Sequence, residues 1–79
     1  MTGTHVYDVV YIVDSRGHLV GSIEEFSFED PRLLNRLFAL VSHGDILRCF
    51  IDCMIVETFV IRMHRNDAWP SAYRVDSGA

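Results

Sequence analysis

Residues 5–23 read HVYDVVYIVDSRGHLVGSI and predict a β-hairpin, the element around which the rest of the chain is interpreted. Within it, His5–Val13 is mostly β-branched or aromatic and suits a pleated strand. Asp14 and Gly17 fit the first and fourth positions of a type I turn, and glycine also tolerates the left-handed conformation. His18–Ile23 then returns as the second strand.

Alternation along the first strand gives it two apolar faces, because successive strand side chains point to opposite sides. One face carries Tyr7, Val9, Tyr11 and Val13, and the other carries Val6, Asp8, Val10 and Ile12. We therefore expect a central strand, or one that is covered on both sides. In the second strand, Ile23 and Phe26 fall on opposite faces, which predicts a bulge near Glu24–Glu25.

The segment after the hairpin predicts an amphipathic helix. Asp30 is a favourable N-cap, and Pro31 suits the first helical position. His43 is expected near the C-terminus of the helix, with Gly44 as the residue that stops it. Apolar residues at helical spacing are expected to form the buried side: Leu33, Leu34, Leu37, Phe38, Leu40 and Val41.

Residues 46–65 contain both strand-type and helix-type patterns, with no glycine or proline to divide them. We predict strands at 46–53 and 55–64, or one long bent strand, and a helical 46–53 remains an alternative. Residues 73–75 suit a short edge strand, since Pro70 excludes a central strand there. The whole pattern predicts an α+β fold: a two-layer, ββαββ-like domain with an antiparallel sheet of about four strands and one amphipathic helix.

Length and composition indicate one small domain. The chain has 79 residues, of which 49% are hydrophobic and 23% are charged, so it has the composition of a folded core and not of a disordered segment. We expect a single domain over residues 1–79, with 76–79 as a loose tail. No apolar run is long enough to span a membrane, and no secretory signal is recognised, so we expect a cytoplasmic protein with reduced cysteines.

Charge is distributed unevenly along the chain, whose net charge is −4. The first third is strongly acidic, which disfavours contact with phosphates and suits a basic partner. Arg32 and Arg36 share one face of the predicted helix, but the net charge favours a solvated face over direct binding of nucleic acid.

Metal binding and catalysis have little support in the sequence. On a straight strand, the sulfurs of Cys49 and Cys53 would be about 13 Å apart, too far to share a zinc ion. On a helix the same spacing would bring them together. His18 and His64 near strand ends leave a small histidine- or metal-dependent hydrolase as an alternative, against the simpler interpretation of exposed strand-end residues. We therefore expect no catalytic residue, no metal and no cofactor.

A partner-binding surface is the function that remains. The candidate residues are the acidic Asp14, Glu24, Glu25, Glu29 and Asp30, with Tyr7, Tyr11 and Trp69 as aromatic anchors. Ordinary solubilising charge and core aromatic residues are the competing interpretation. A self-associating structural or regulatory subunit is the first alternative, ahead of the hydrolase. We expect a monomer or homodimer in solution.

In build, the chain resembles the small anti-CRISPR inhibitors of phages and mobile elements: about eighty residues, one α+β domain, acidic charge and no catalytic motif. The resemblance covers the whole chain and carries over no functional residue. It implies a stoichiometric, non-enzymatic inhibitor in a bacterial host's cytoplasm. Such a protein would bind a CRISPR effector complex and block target DNA binding or nuclease recruitment. An acidic surface is compatible with this role, since it can occupy a basic groove built for nucleic acid.

Overall fold

The chain folds into one antiparallel sheet with a helix on one of its faces. A computed structural model describes residues 6–66 and 68–75. The elements are β1 (Tyr7–Val13), β2 (Leu19–Phe26), α1 (Pro31–Leu40), β3 (Ile46–Ile51), β4 (Met54–Arg62) and β5 (Ser71–Arg74). The strand order is β2-β1-β3-β4-β5, and every neighbouring pair is antiparallel. The expected α+β, ββαββ-like fold is confirmed, with β5 as a fifth strand at one edge.

The core lies between α1 and one face of the sheet. Ile12 pairs with Leu47 on the two central strands, and both side chains are fully buried. Gly21 on β2 pairs with Ile12, and a Cβ added at Gly21 would lie 3.8 Å from Leu40 Cδ1 of the helix. Leu37 of α1 is also fully buried. This face is called the helix face below.

The helix begins where the sequence predicts. Asp30 is the N-cap, and its carboxylate accepts the backbone N–H of Arg32 at 2.9 Å. Pro31 follows as the first helical residue, where its missing N–H has no intrahelical partner to lose. The N-cap Asp30 and the proline that follows it therefore determine where α1 begins.

The helix ends earlier than predicted. Its last residue is Leu40 and its C-cap is Val41, so the expected extension to His43 with Gly44 as the stop is wrong. Gly44 instead has φ 90° in the turn before β3, where its N–H donates to the carbonyl of Ile61 at 2.8 Å. The left-handed conformation suits Gly44, but this residue lies in the turn that leads into β3 and not at the end of the helix.

Residues 46–62, whose sequence contains both strand-type and helix-type patterns, form a tight hairpin. β3 and β4 are joined by Asp52 and Cys53 alone, with φ 52° and 65°. Two left-handed central residues are characteristic of a type I′ turn, whose twist matches that of the flanking strands. The helical alternative for 46–53 and the single bent strand are both wrong. The prediction of two strands is confirmed, with different bounds. The first strand ends at Ile51 and not at residue 53, because residues 52–53 form the turn, and the second covers 54–62 and not 55–64.

One side chain of β1 lies on a different face from the one expected. Tyr7 is 4% exposed and packs in the core, edge-on to Phe28 at 6.1 Å between ring centroids. Val9 and Tyr11 point to the opposite side, so the prediction that Tyr7 shares their face is wrong. Phe26, the cross-strand partner of Tyr7, is buried in the same core.

The irregularity expected in β2 takes a different form. Glu25 has φ 53°, a left-handed residue within the predicted site at Glu24–Glu25. It reorients the chain between Ile23 and Phe26, so that both reach the core despite their odd spacing. The register shift of the hairpin lies at its other end, between Ile12 and Val13.

Two expectations lie outside the described residues: the strand start at His5 and the loose tail at 76–79. Within the described part of the chain, no helix is long and apolar enough to cross a membrane. The only helix there, α1, has 10 residues.

Candidate functional site

Four of the predicted acidic residues lie together where β2 ends and α1 begins. They are Glu24, Glu25, Glu29 and Asp30, called the acidic surface below. Glu25 lines two adjoining shallow grooves, one shared with Asp8 and Glu24, the other with Glu29 and Asp30. The three glutamates are exposed, so their carboxylates are available to a partner.

Few cations neutralise this end of the domain. Arg32 Nε lies 3.9 Å from Asp30 Oδ1, but the arginine side chain is 93% exposed, and such pairs are weak in water. Arg36 lines the groove that contains Asp8. Asp8 Oδ2 accepts the N–H of Asp52 at 2.8 Å, which brings a further carboxylate to the same end of the sheet. Acidic groups therefore predominate here.

Asp14 lies apart from the acidic surface, at the opposite end of the β1–β2 hairpin. Its Oδ1 accepts the N–H groups of Arg16 at 2.9 Å and His18 at 2.8 Å. The hydrogen bond from the His18 N–H is the main reason that the pKa of Asp14 is lowered. The carboxylate is thus committed to closing the turn.

Tyr7 is buried and does not form part of an exposed surface. Its hydroxyl donates a hydrogen bond to Glu57 Oε1, and Arg74 Nε lies 3.6 Å from the other oxygen of that carboxylate. Burial is the largest reason that the pKa of Tyr7 is raised. The three polar groups satisfy one another at the margin of the core, and this explains why a tyrosine is accommodated there.

Trp69 is 62% exposed and lies beside the helix, away from the acidic surface. Its ring centroid is 6.1 Å from that of Phe38, with a tilt of 36°. Met63 and Pro70 line the same shallow apolar pocket. Trp69 is accessible as an anchor, but the structure does not bring it together with the glutamates.

The second face of the sheet is open: within residues 6–66 and 68–75, no helix or other strand packs on it. Its central members, called the open face below, are Val9, Tyr11, Val13, Ile46, Arg48, Phe50, Thr58, Val60 and Arg62, and the residues paired with them at its margins are Ser22, Glu24, Ile55, Ser71 and Tyr73. Residues directly opposite each other on paired strands share a face, and this assigns them. Tyr11 is the predicted anchor that lies here, 37% exposed.

Aliphatic and aromatic groups dominate the middle of the open face. Tyr11 and Phe50 meet edge to face at 5.3 Å and 87°. Val9, Val13 and Ile46 are half-buried, although no other element covers them among the described residues. Apolar side chains that no other element covers are characteristic of an interaction site.

Sequence reasoning missed most of this face. Ile46, Arg48 and Phe50 alternate on β3 with the buried Leu47 and Cys49, so both sides of this strand look apolar in the sequence. The alternation of arginine between two apolar residues was the available signal. The strand predicted at 46–53 contains this signal, but it does not tell which of the two apolar sides the helix covers.

The residues considered for metal or hydrolytic chemistry are dispersed. Cys49 is fully buried, and burial raises the pKa of its thiol to about 12, whereas Cys53 is exposed in the β3–β4 turn. His18 and His64 are exposed. Among residues 6–66 and 68–75 there is no group of three or more histidine, cysteine or acidic side chains that could hold a metal ion.

The structure thus presents two candidate surfaces: the acidic surface at one end and the open face of the sheet. The first gathers four of the residues that the sequence singled out; the second contains Tyr11 and adjoins the first at Glu24. Comparisons of this chain with protein families, with curated proteins and with solved structures found no match.

Proposed function

We propose that this chain is a non-catalytic inhibitor that docks its acidic surface on a basic, nucleic-acid-binding groove of a protein partner. The observation that carries the proposal is the gathering of exposed Glu24, Glu25 and Glu29 beside Asp30 at one end of the domain. Carboxylates held close together repel one another, and a basic partner relieves that repulsion. The same field steers the two proteins together and raises the rate of association.

The proposed mechanism is competition. A groove that binds nucleic acid presents arginine and lysine side chains at phosphate spacing, and these groups also bind carboxylates. A domain that occupies such a groove excludes the nucleic acid. The resemblance in build to anti-CRISPR proteins suggests a CRISPR effector complex as the target, with target DNA binding or nuclease recruitment as the step that is blocked.

The test needs charge changes that leave the fold intact. Asp30 is the helix N-cap, so its substitution would also destabilise α1, and it is left unchanged. The informative variant is Glu25→Lys with Glu29→Lys, because both side chains are exposed. Its matched control, Glu25→Gln with Glu29→Gln, removes the charge and keeps the side-chain length. Arg16→Glu in the β1–β2 turn serves as a distant control.

The assay measures binding to purified, guide-loaded effector complexes, together with their retention of labelled target DNA. We expect the wild type to bind at least one complex and to displace its DNA. The glutamine variant should lose affinity and the lysine variant about tenfold more, with smaller differences at 0.5 M salt. Arg16→Glu should bind like the wild type. Equal affinities for the wild type and both double variants would refute the electrostatic mechanism, and no binding to any complex would remove the proposed target class.

A further inference from the structure

Arg48 occupies the centre of the open face. It lies on β3, the middle strand of the sheet, and pairs with Tyr11 on one side and Thr58 on the other. Ile46 and Phe50 precede and follow it on the same face. The side chain is exposed, and among the described residues no carboxylate lies within ion-pair distance of it.

The surroundings of Arg48 are those of an interaction hot spot. Arginine and tyrosine are enriched at such positions, where apolar neighbours exclude water from a central polar contact. Here Tyr11, Phe50 and Ile46 supply the apolar neighbours, within roughly 5–7 Å of Arg48 by strand spacing. A guanidinium in this setting favours a planar anion, because its fork matches a carboxylate with two parallel hydrogen bonds.

We propose that the open face binds a segment of a partner protein in which one carboxylate is flanked by apolar side chains. The carboxylate pairs with Arg48. The flanking apolar groups cover the row of Val9 and Phe50 on one side and the row of Val13 and Ile46 on the other. Glu24 of the acidic surface borders this face beside Val9. The proposal depends on Arg48 and its apolar neighbours and not on the glutamates, so the Arg48 variants test it independently of the function proposed above.

Nucleic acid fits this face less well than a peptide. Most of its apolar residues are aliphatic, and the two central rings, Tyr11 and Phe50, pack against each other instead of forming two free stacking platforms. A nucleic acid would also bring a run of phosphates, and those beyond the one on Arg48 would approach the carboxylates of Glu24 and Asp52 at the near end of the sheet, whereas a peptide needs to bring only one anion. The chemistry of the face therefore favours a protein partner.

A second copy of the chain is also disfavoured by Arg48. If two copies covered each other's whole open face, their two-fold axis would pass near its centre, where Arg48 lies. Stacked sheets pack about 10 Å apart, so the two Arg48 side chains would face each other across the contact. Two guanidinium groups in that arrangement repel each other once water is excluded. An anionic partner group removes this difficulty.

The experiment selects random peptides displayed on phage against the immobilised full chain. On the wild type, we expect enrichment of Asp or Glu between apolar residues. The Arg48→Glu variant should enrich Lys or Arg at the same position. The control Arg36→Glu, on the helix, should give the wild-type motif. Recovery of the same motif on the wild type and Arg48→Glu, or no enrichment on the wild type, would overturn the proposal.

Two further measurements make the result quantitative. For the best peptide, fluorescence anisotropy should show a Kd at least tenfold higher when the peptide's acidic residue is replaced by the corresponding amide. With the Arg48→Ala variant, the same replacement should leave the Kd almost unchanged. Circular dichroism should show wild-type folding for each variant. Sedimentation of the wild type as a dimer that dissociates in Phe50→Asp would overturn the proposal in favour of a second copy. Binding of a labelled twelve-nucleotide oligo-dT or oligo-U that is lost in Arg48→Glu would overturn it in favour of nucleic acid.

Discussion

The turn between β3 and β4 predicts that one substitution, Cys53→Gly, stabilises the protein. Cys53 has φ 65° in a two-residue turn, a conformation that costs an L-residue about 1–2 kcal/mol. Glycine avoids this cost but loses about 0.5–1 kcal/mol more conformational entropy on folding. The net expectation is a gain of about 0.5–1 kcal/mol in the free energy of unfolding, or about 2–8 °C in Tm for a domain of this size.

Urea unfolding followed by circular dichroism, with reductant present, measures this gain. The midpoint should rise while the slope with denaturant stays constant. Cys53→Ala is the matched control: it removes the exposed sulfur and keeps the left-handed penalty, so its stability should equal that of the wild type. A glycine variant no more stable than the alanine variant would refute the assignment of this turn.

Two further predictions concern the core. Tyr7→Phe should lower the free energy of unfolding by about 1–2 kcal/mol, because it removes the hydrogen bond to Glu57, a charged acceptor; an unchanged urea midpoint would show that this bond contributes nothing. At pH 8, a disulfide reagent should modify Cys53 rapidly and Cys49 only after unfolding, since burial raises the pKa of Cys49 to about 12; two fast thiols in the native protein would contradict the burial of β3.

Local signals in the sequence were sufficient where a residue type has one strong structural role. Asp30 and Pro31 fixed the start of the helix, and Asp14 with Gly17 fixed the first turn. The end of the helix could not be located in the same way. Gly44 has the left-handed conformation that was expected of it, but in the turn before β3.

The β3–β4 hairpin was obscured by its turn residues. A type I′ turn favours Asn, Asp or Gly at both positions, and only Asp52 follows that preference. Cys53 gives no turn signal, so two strands were predicted at 46–53 and 55–64 without a turn between them, and one long bent strand remained an alternative. Glu25 gives no signal either, because glutamate is not a residue type that indicates a left-handed conformation. The chain reorients there, and Tyr7 and Phe26 both lie in the core.

The candidate surfaces differ in how far the sequence could reveal them. Neighbours along the chain supply the acidic surface, so composition alone located it. The open face combines residues from β1, β3 and β4, which meet only through strand pairing. Its central charge, Arg48, appears in the sequence as one of seven basic residues with no particular context.

The uncovered sheet and the charge of the chain have linked consequences. An apolar face of this kind promotes association, and a net charge of −4 opposes contact between identical copies. Arg48 adds a local barrier to the same contact, because pairing of two open faces brings like charges together. Both features discourage the chain from covering the face with its own copy, whereas Arg48 attracts a partner segment that presents a carboxylate. The residue that makes self-association unfavourable is therefore also the residue that would select the partner.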